Sequence, residues 1–258
     1  MMSVLDQIIA GVREDLETRR ISRTQLSEQV AKAASPRDAV KYFRGEDISV
    51  IAEVKRSSPS KGVLAPISDP AALARIYQDN GASVVSVLTE ARRFGGSLDD
   101  LDAVRKSVSI PILRKDFMVD EYQFLEARAH GADLVLLIVA ALSQGQLSEF
   151  LALTHELGMK ALVEVHTESE LEVALAVSAQ IIGVNSRNLK TLDVDRETFA
   201  QLLPKIPDHI LKVAESGISS RSDVEYAQSH GGDAVLIGEA LVRRSDPGAT
   251  LRALMGEG

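Results

Sequence analysis

Glu53 and Lys55 lie two residues apart in Ile51-Ala52-Glu53-Val54-Lys55. There a β-branched apolar run starting at Ser49 breaks into the loop Arg56-Ser57-Ser58-Pro59-Ser60-Lys61-Gly62. Alternate side chains of a strand share a face, so this carboxylate and this ammonium point the same way. Such a pair is costly inside a core and usual where strands end over a ligand. The chemistry it suits is proton transfer to and from a bound molecule.

Further candidates follow apolar runs in the same manner: Lys115 after Leu113-Arg114, Glu164 after Leu162-Val163, Asn185 after Gly183-Val184 and Glu215 after Val213-Ala214. Lys115 shares parity with Leu113 and Glu164 with Leu162; Asn185 and Glu215 follow the same rule. If the leucines face inward, all of these groups project into one mouth. For any one alone, an interior ion pair is the simpler reading. For two lysines, three glutamates and an amide together, packing asks for less charge, and buried charges need partners.

An anion seat is indicated at Ser216-Gly217 and at Gly238. Glycine lets a backbone approach a phosphate, and N–H groups supply the donors. Ser58 could add a hydroxyl. Glu239 would repel a phosphate, so its side chain is expected to point away, leaving its N–H. Each glycine alone could be a plain turn.

These residues need strands to carry them. Strands are predicted at 50–53, 83–88, 111–114, 134–139, 161–164, 181–184, 211–214 and 234–237, each rich in Val, Ile or Leu and bounded by turn residues. Helical spacing lies between them, as in Leu73, Ile76 and Tyr77, in Leu147, Phe150, Leu151 and Thr154, and in Leu171, Ala174 and Leu175. An internal echo fixes the register: His130-Gly131-Ala132-Asp133-Leu134-Val135 returns as His230-Gly231-Gly232-Asp233-Ala234-Val235, with weaker copies at Asn80-Gly81-Ala82 and Leu157-Gly158-Met159. In each, glycine ends a helix and a strand begins at once. Eight such units predict an α/β fold, a closed (β/α)8 TIM barrel, rather than the alternative of an open doubly wound sheet. Residues 1–258 read as a single domain, with residues 1–48 an N-terminal helical extension packed on it. Its stripe Val4, Ile8, Ile9, Val12 and Leu16 reads as a lid over the barrel's underside, the other reading being a part in closing the site.

The totals bound the function. The chain of 258 residues has a formal charge of −8 and no cysteine or tryptophan. An acidic chain without a basic stripe argues against nucleic acid. Lack of cysteine removes thiol chemistry, disulfides and cysteine-based metal sites. The longest apolar run, 134–142, is too short for a bilayer. Asp6, Arg13, Glu14 and Asp15 do not fit a secretory signal. The expectation is a soluble, cytoplasmic monomer with a small-molecule phosphorylated substrate and no metal or cofactor.

The run Glu53-Val54-Lys55-Arg56-Ser57-Ser58-Pro59-Ser60-Lys61-Gly62 resembles the signature of the indole-3-glycerol phosphate synthase family. The likeness continues through Ser86–Glu90, Phe94-Gly95-Gly96-Ser97, Pro111–Phe117, Leu162–His166, Gly183–Leu189, Ala214–Ile218 and Ile237-Gly238-Glu239. It spans nearly the whole chain, and no position of the set is missing. The resemblance implies a TIM-barrel carboxy-lyase of tryptophan biosynthesis. Such an enzyme closes the indole ring of 1-(2-carboxyphenylamino)-1-deoxyribulose 5-phosphate with loss of CO2 and water. It further implies Lys115 as general acid on the ketone oxygen, with Glu53, Lys55 and Glu164 in later proton movements. Asn185 and Glu215 would hydrogen-bond the substrate or its catalytic neighbours, and Arg187 would lie near the anthranilate carboxylate. Ser58, Ser216, Gly217, Gly238 and the Glu239 N–H would mark the phosphate region. Phe94 and Phe117 read equally as walls of an aryl pocket and as core.

Overall fold

The computed structural model of the chain describes residues 3–43, 47–189 and 191–257. Eight parallel strands close into a barrel: β1 (Ser49–Val54), β2 (Val84–Leu88), β3 (Ile112–Lys115), β4 (Leu134–Ile138), β5 (Lys160–Val165), β6 (Ile181–Asn185), β7 (Leu211–Glu215) and β8 (Ala234–Ile237). β1 pairs with both β2 and β8, which closes the ring. The predicted strands differ from these by at most one residue at either end. The αβ joints at Gly81, Gly131, Gly158 and Gly231 have φ of 94°, 77°, 77° and 90°, the left-handed turn that the sequence echo requires.

Strand parity divides the apolar residues into two cores. Outward residues such as Val50, Ala52, Val85, Val87, Val135 and Leu137 pack under the helices. Inward residues such as Ile51, Val84, Leu113, Leu136, Leu162 and Val213 fill the barrel. Burial on both faces explains why these strands are continuous apolar runs rather than alternating ones. Helical spacing over-reads one residue: Ile76 lies at the rim of its helix and is 39% exposed, while Ala74 and Tyr77 are buried.

The N-terminal extension corrects the expectation of a lid on the underside. α1 (Val4–Arg19) starts at a capping box of Ser3 with Asp6 and buries Leu5, Ile8, Val12 and Leu16. Its apolar stripe joins Phe117, Val119 and Ile138, from the loop after β3 and the end of β4, so α1 covers the mouth. Ion pairs hold it there. Arg92, after β2, reaches Glu14 and Asp15, both at 2.7 Å, and Arg19 binds Glu126 with both prongs at 2.9 and 3.1 Å. The chain then passes α2 (Arg23–Lys32) and descends the outside, where the Arg37 N–H donates to Asp133 just ahead of β4. Ala39 and Phe43 complete the interior core before β1 begins. One extension thus closes the barrel at both ends.

Behind Lys115, Arg114 points out of the barrel and is fully buried. Its guanidinium contacts Asp116 and Glu126, each at 2.9 Å, and donates to Thr89 Oγ1 and the Gln123 carbonyl. Glu126 is shared with Arg19, so this cluster joins α1, β3 and the loop that carries Phe117. Removing the central cation leaves buried Asp116 without a cation and Glu126 with Arg19 alone. Arg114→Met is expected to cost about 3–5 kcal/mol in urea unfolding, as for other broken buried pairs. A loss below about 1 kcal/mol would show that the cluster adds little.

Candidate active site

The top inward layer of the barrel replaces apolar side chains with Glu53, Ser86, Lys115, Glu164, Asn185 and Glu215. Cross-strand register sets Glu53 beside Ser86 and Asn185 beside Glu215. Lys115 Nζ lies 3.2 Å from Glu164 Oε2 and 3.3 Å from Glu215 Oε2. Lys55 Nζ lies 2.5 Å from Glu53 Oε1. The charges that the sequence places on separate strands therefore meet in one pocket.

Two glycines make the arrangement possible. A Cβ on Gly183 would stand 2.0 Å from Glu215 Oε1, and one on Gly238 would stand 2.5 Å from Glu53 Oε1. The barrel leaves out two side chains so that two carboxylates can lie across it. The sequence reading assigned Gly183 no role, because the requirement arises from a neighbouring strand.

Burial and charge set the protonation states. Burial disfavours the Lys115 ammonium, but Glu164, Glu215 and Glu53 outweigh it and hold its pKa above the ordinary lysine value. For Glu164, burial pushes the pKa up, while Lys115 and hydrogen bonds from His166 and Asn185 bring it well below the usual carboxylate range. Burial wins at Glu215: opposed by Lys115 and reinforced by Glu164, its carboxyl is pushed up to about 8. Glu53 Oε1, Ser58 Oγ, His166 Nε2 and both Glu215 oxygens are among the buried polar atoms with no well-aligned hydrogen bond within the protein. Their ion contacts are close but poorly directed, as is common for catalytic groups that tighten only around substrate.

The space around Lys115 has two parts. A cavity of about 120 Å³ on one side is walled by Leu5, Ile8, Phe94, Phe117, Ile138 and Leu189. Both phenylalanines thus border the cavity, their ring centroids 6.0 Å apart. On the other side an open cleft of about 1400 Å³ runs past Ser216, Gly217, Gly238 and Glu239. Glu53, Lys55, Lys115 and Arg187 line both parts. α1 supplies Leu5 and Ile8, which the reading of an underside lid had placed elsewhere.

Ser216 adopts φ 68°, a left-handed conformation that costs a non-glycine residue energy, and Gly217 follows at 73°. Ser186 Oγ donates to the carbonyls of Glu215 and Ser216, which holds this turn from below. Glu239 pairs with Arg243 at 3.4 Å. Ser58 lines the smaller cavity together with Ser216 and Glu239, which also line the cleft, so it lies toward the boundary between the two parts. Arg187 donates to Ser60 Oγ at 3.3 Å and to the Leu192 carbonyl at 2.9 Å, and its own N–H is received by Asn185 Oδ1.

Two residues at the strand ends do something the sequence did not signal. Glu90 accepts the N–H groups of Arg92, Arg93 and Phe94 at 3.1, 2.7 and 2.9 Å, so it shapes the loop carrying Phe94. His166 contacts Glu164. The motif Glu164-Val165-His166 placed it on the same strand face, which was the available signal.

Among the described residues no group of three or more His, Asp or Glu could hold a metal ion, and no helix is long and apolar enough to cross a membrane. The barrel frame is shared with 3-hexulose-6-phosphate synthase. One such solved structure has a TM-score of 0.67 at 14% identity, covering 81% of this chain and 99% of that one; the Salmonella typhimurium protein gives 0.66 at 14%, covering 81% and 98%. At that identity the likeness speaks for the fold alone. Fold and site define a (β/α)8 enzyme of the acid–base type. The family model described as indole-3-glycerol phosphate synthase matches residues 5–254. A Paenarthrobacter aurescens protein of that name is 59% identical over 253 residues, covering 95% of this chain and 93% of its own. A Streptomyces coelicolor one is 56% identical over 259, covering 100% and 96%. The chain belongs to the indole-3-glycerol phosphate synthase family.

Glu215 gives the site a pH signature. Its ordinary pKa is 4.5 and its folded value about 8. Between the two, the folded chain holds a proton that the unfolded chain has released, so stability falls as pH rises through that window. Glu215→Gln lacks this dependence. Its urea-measured stability, taken relative to the wild type, is expected to increase between pH 5 and pH 8.5; a constant difference would contradict the assignment.

Proposed function

We propose that this chain converts 1-(2-carboxyphenylamino)-1-deoxyribulose 5-phosphate to indole-3-glycerol phosphate, with Lys115 as the first proton donor. The observation that carries the reading is the two-part cavity meeting at Lys115. One part suits an aryl ring and the other a sugar phosphate, and the reacting ketone falls between them.

The aryl carbon bearing the carboxylate attacks the ketone, and the carbonyl π pair moves to oxygen. Lys115 protonates that oxygen; being held as an ammonium, it is a donor rather than an imine-forming nucleophile. CO2 then leaves and its bonding pair returns to the ring, which needs no external electron sink. Nitrogen's lone pair expels the hydroxyl as water with a second proton. Loss of a proton from the carbon beside nitrogen completes the indole. Two protons enter and one leaves, so each turnover takes up one proton. Glu164, Glu53 and Lys55 serve the later transfers. Glu215 is protonated at neutral pH and 3.3 Å from Lys115, so it can restore the first donor.

Asn185 fixes Glu164 and the Arg187 backbone, and Arg187 holds the substrate carboxylate. Ser216, Gly217, Gly238, Ser58 and the Glu239 N–H receive the phosphate. Folding two tethered ends onto each other is itself a large part of the rate. A charged phosphorylated substrate is retained inside the cell, which supports a cytoplasmic location. One chain supplies every group named, so a monomer suffices.

Lys115→Ala is expected to lower kcat by about 10³-fold, the scale of a lost acid and oxyanion partner, while the folded circular dichroism spectrum persists. Indole fluorescence during turnover of the anthranilate-linked deoxyribulose phosphate reports it. A folded variant with unchanged kcat would remove Lys115 from the mechanism.

A further inference from the structure

His166 lies between two carboxylates, one inside the site and one outside it. Its Nε2 is 3.2 Å from Glu164 Oε1, and its Nδ1 is 3.0 Å from Glu170 Oε2. The same Glu170 oxygen accepts the His166 backbone N–H at 2.8 Å, so ring and main chain are held together. The imidazole side chain is 8% exposed, and Glu170, in the first turn of the helix Glu168–Ala176, is 20% exposed. The two Glu164 oxygens are thereby divided: Oε1 faces His166 and Oε2 faces Lys115.

We propose that His166 is a positioning residue for the ring closure, tying one oxygen of Glu164 to the carboxylate of Glu170 so that the other is presented to Lys115 and the substrate. This rests on the function proposed above and adds residues that touch neither substrate nor reacting atoms.

Three arguments support it. A carboxylate at the end of a strand rotates freely about its last bond unless one oxygen is held, and here the holder is a rigid ring anchored on its far side. The contact is also electrostatic. Burial alone would keep the imidazole neutral, but Glu164 and Glu170 push its pKa up to about 10, so both ring nitrogens carry a proton at neutral pH. The 3.2 Å contact departs from an ideal hydrogen-bond line, yet charge attraction depends mainly on distance and survives that misalignment. Third, the charges balance. With Glu215 protonated, Lys55, Lys115 and His166 stand against Glu53, Glu164 and Glu170. The groups that bear on the imidazole are Glu164 at the end of β5, just before it, and Glu170 on the following helix; beyond Glu164 stand Lys115 from β3, Asn185 from β6 and Glu215 from β7.

The plain alternative is that Glu170 only caps its helix by accepting the His166 N–H. Glu170→Gln separates the two, because the amide oxygen still accepts that N–H while the charge is lost. His166→Gln likewise keeps a donor of similar reach without a positive charge. For both variants kcat is expected to fall about tenfold or more, with KM within about threefold of wild type. Glu164, released from its cationic neighbour, is expected to move the acid limb of the kcat–pH profile up by about one unit. The double variant is expected to match the worse single one, since each residue acts through the other. The proposal is overturned if kcat stays within twofold, or if kcat falls with the acid limb unmoved. Wild-type protein that forms no indole product in the same assay would instead overturn the function itself.

Discussion

Three acidic groups and two ammonium groups share the upper rim of this barrel, the carboxylates almost wholly buried and Lys55 and Lys115 partly exposed toward the cleft. Such an assembly is tolerable only if its charges cancel. Lys115 is held ionised by Glu164, Glu215 and Glu53 against its burial, and Glu215 is pushed toward its neutral form by burial first and by neighbouring Glu164 as well. Lys55 and Glu53 cancel locally at 2.5 Å. Everything else about the mouth follows from the need to pack these groups without diluting them in solvent. Two strands carry glycine where a side chain would collide with Glu215 or Glu53, and α1 covers the rim with leucine and isoleucine. The carboxylates lie buried beneath the cleft, where charges act more strongly than in open water.

The N-terminal extension belongs to this constraint. α1 contributes cavity wall on one side and cations or anions on the other, bound to Arg92 and Glu126 outside the ring. Arg19 shares Glu126 with Arg114, which sits on β3 immediately before Lys115. The position of the lid and that of the strand bearing the central lysine are therefore set by one buried ion cluster. Arg114 and Lys115 are adjacent in sequence and opposite in function because successive strand residues face opposite ways.

Much of this was readable from residue order. Strand parity alone put Lys115, Glu164, Asn185 and Glu215 on the inner face, because Leu113 and Leu162 are apolar two residues earlier and must face the barrel core. The glycine joints at 81, 131, 158 and 231 gave the repeat and hence closure. What failed had a common cause: it depended on contacts between segments far apart in sequence. The α1 stripe shows that one helix face is buried but not against which end of the barrel. Gly183 reads as a weak strand residue until Glu215 is laid across it. Phe94 and Phe117 are ordinary core candidates until the helix that forms the opposite wall is placed. His166 is one of five histidines, and its place two residues after Glu164 gives no sign of the carboxylate that the next helix sets against it.

The likeness to 3-hexulose-6-phosphate synthase extends to the barrel frame. In this chain the frame is held by the apolar inward residues below the mouth and by the outward residues under the helices, through size and apolarity. Many sequences satisfy that demand. The upper layer is different, because each of its groups is defined by a partner on another strand: Lys115 by Glu164 and Glu215, Glu53 by Lys55 and the gap at Gly238. Replacing one member leaves an uncompensated charge in a buried ring rather than a small cavity. A frame held by interchangeable apolar contacts can therefore diverge while its mouth cannot drift one residue at a time. The chemistry of this chain is concentrated in that layer for the same physical reason.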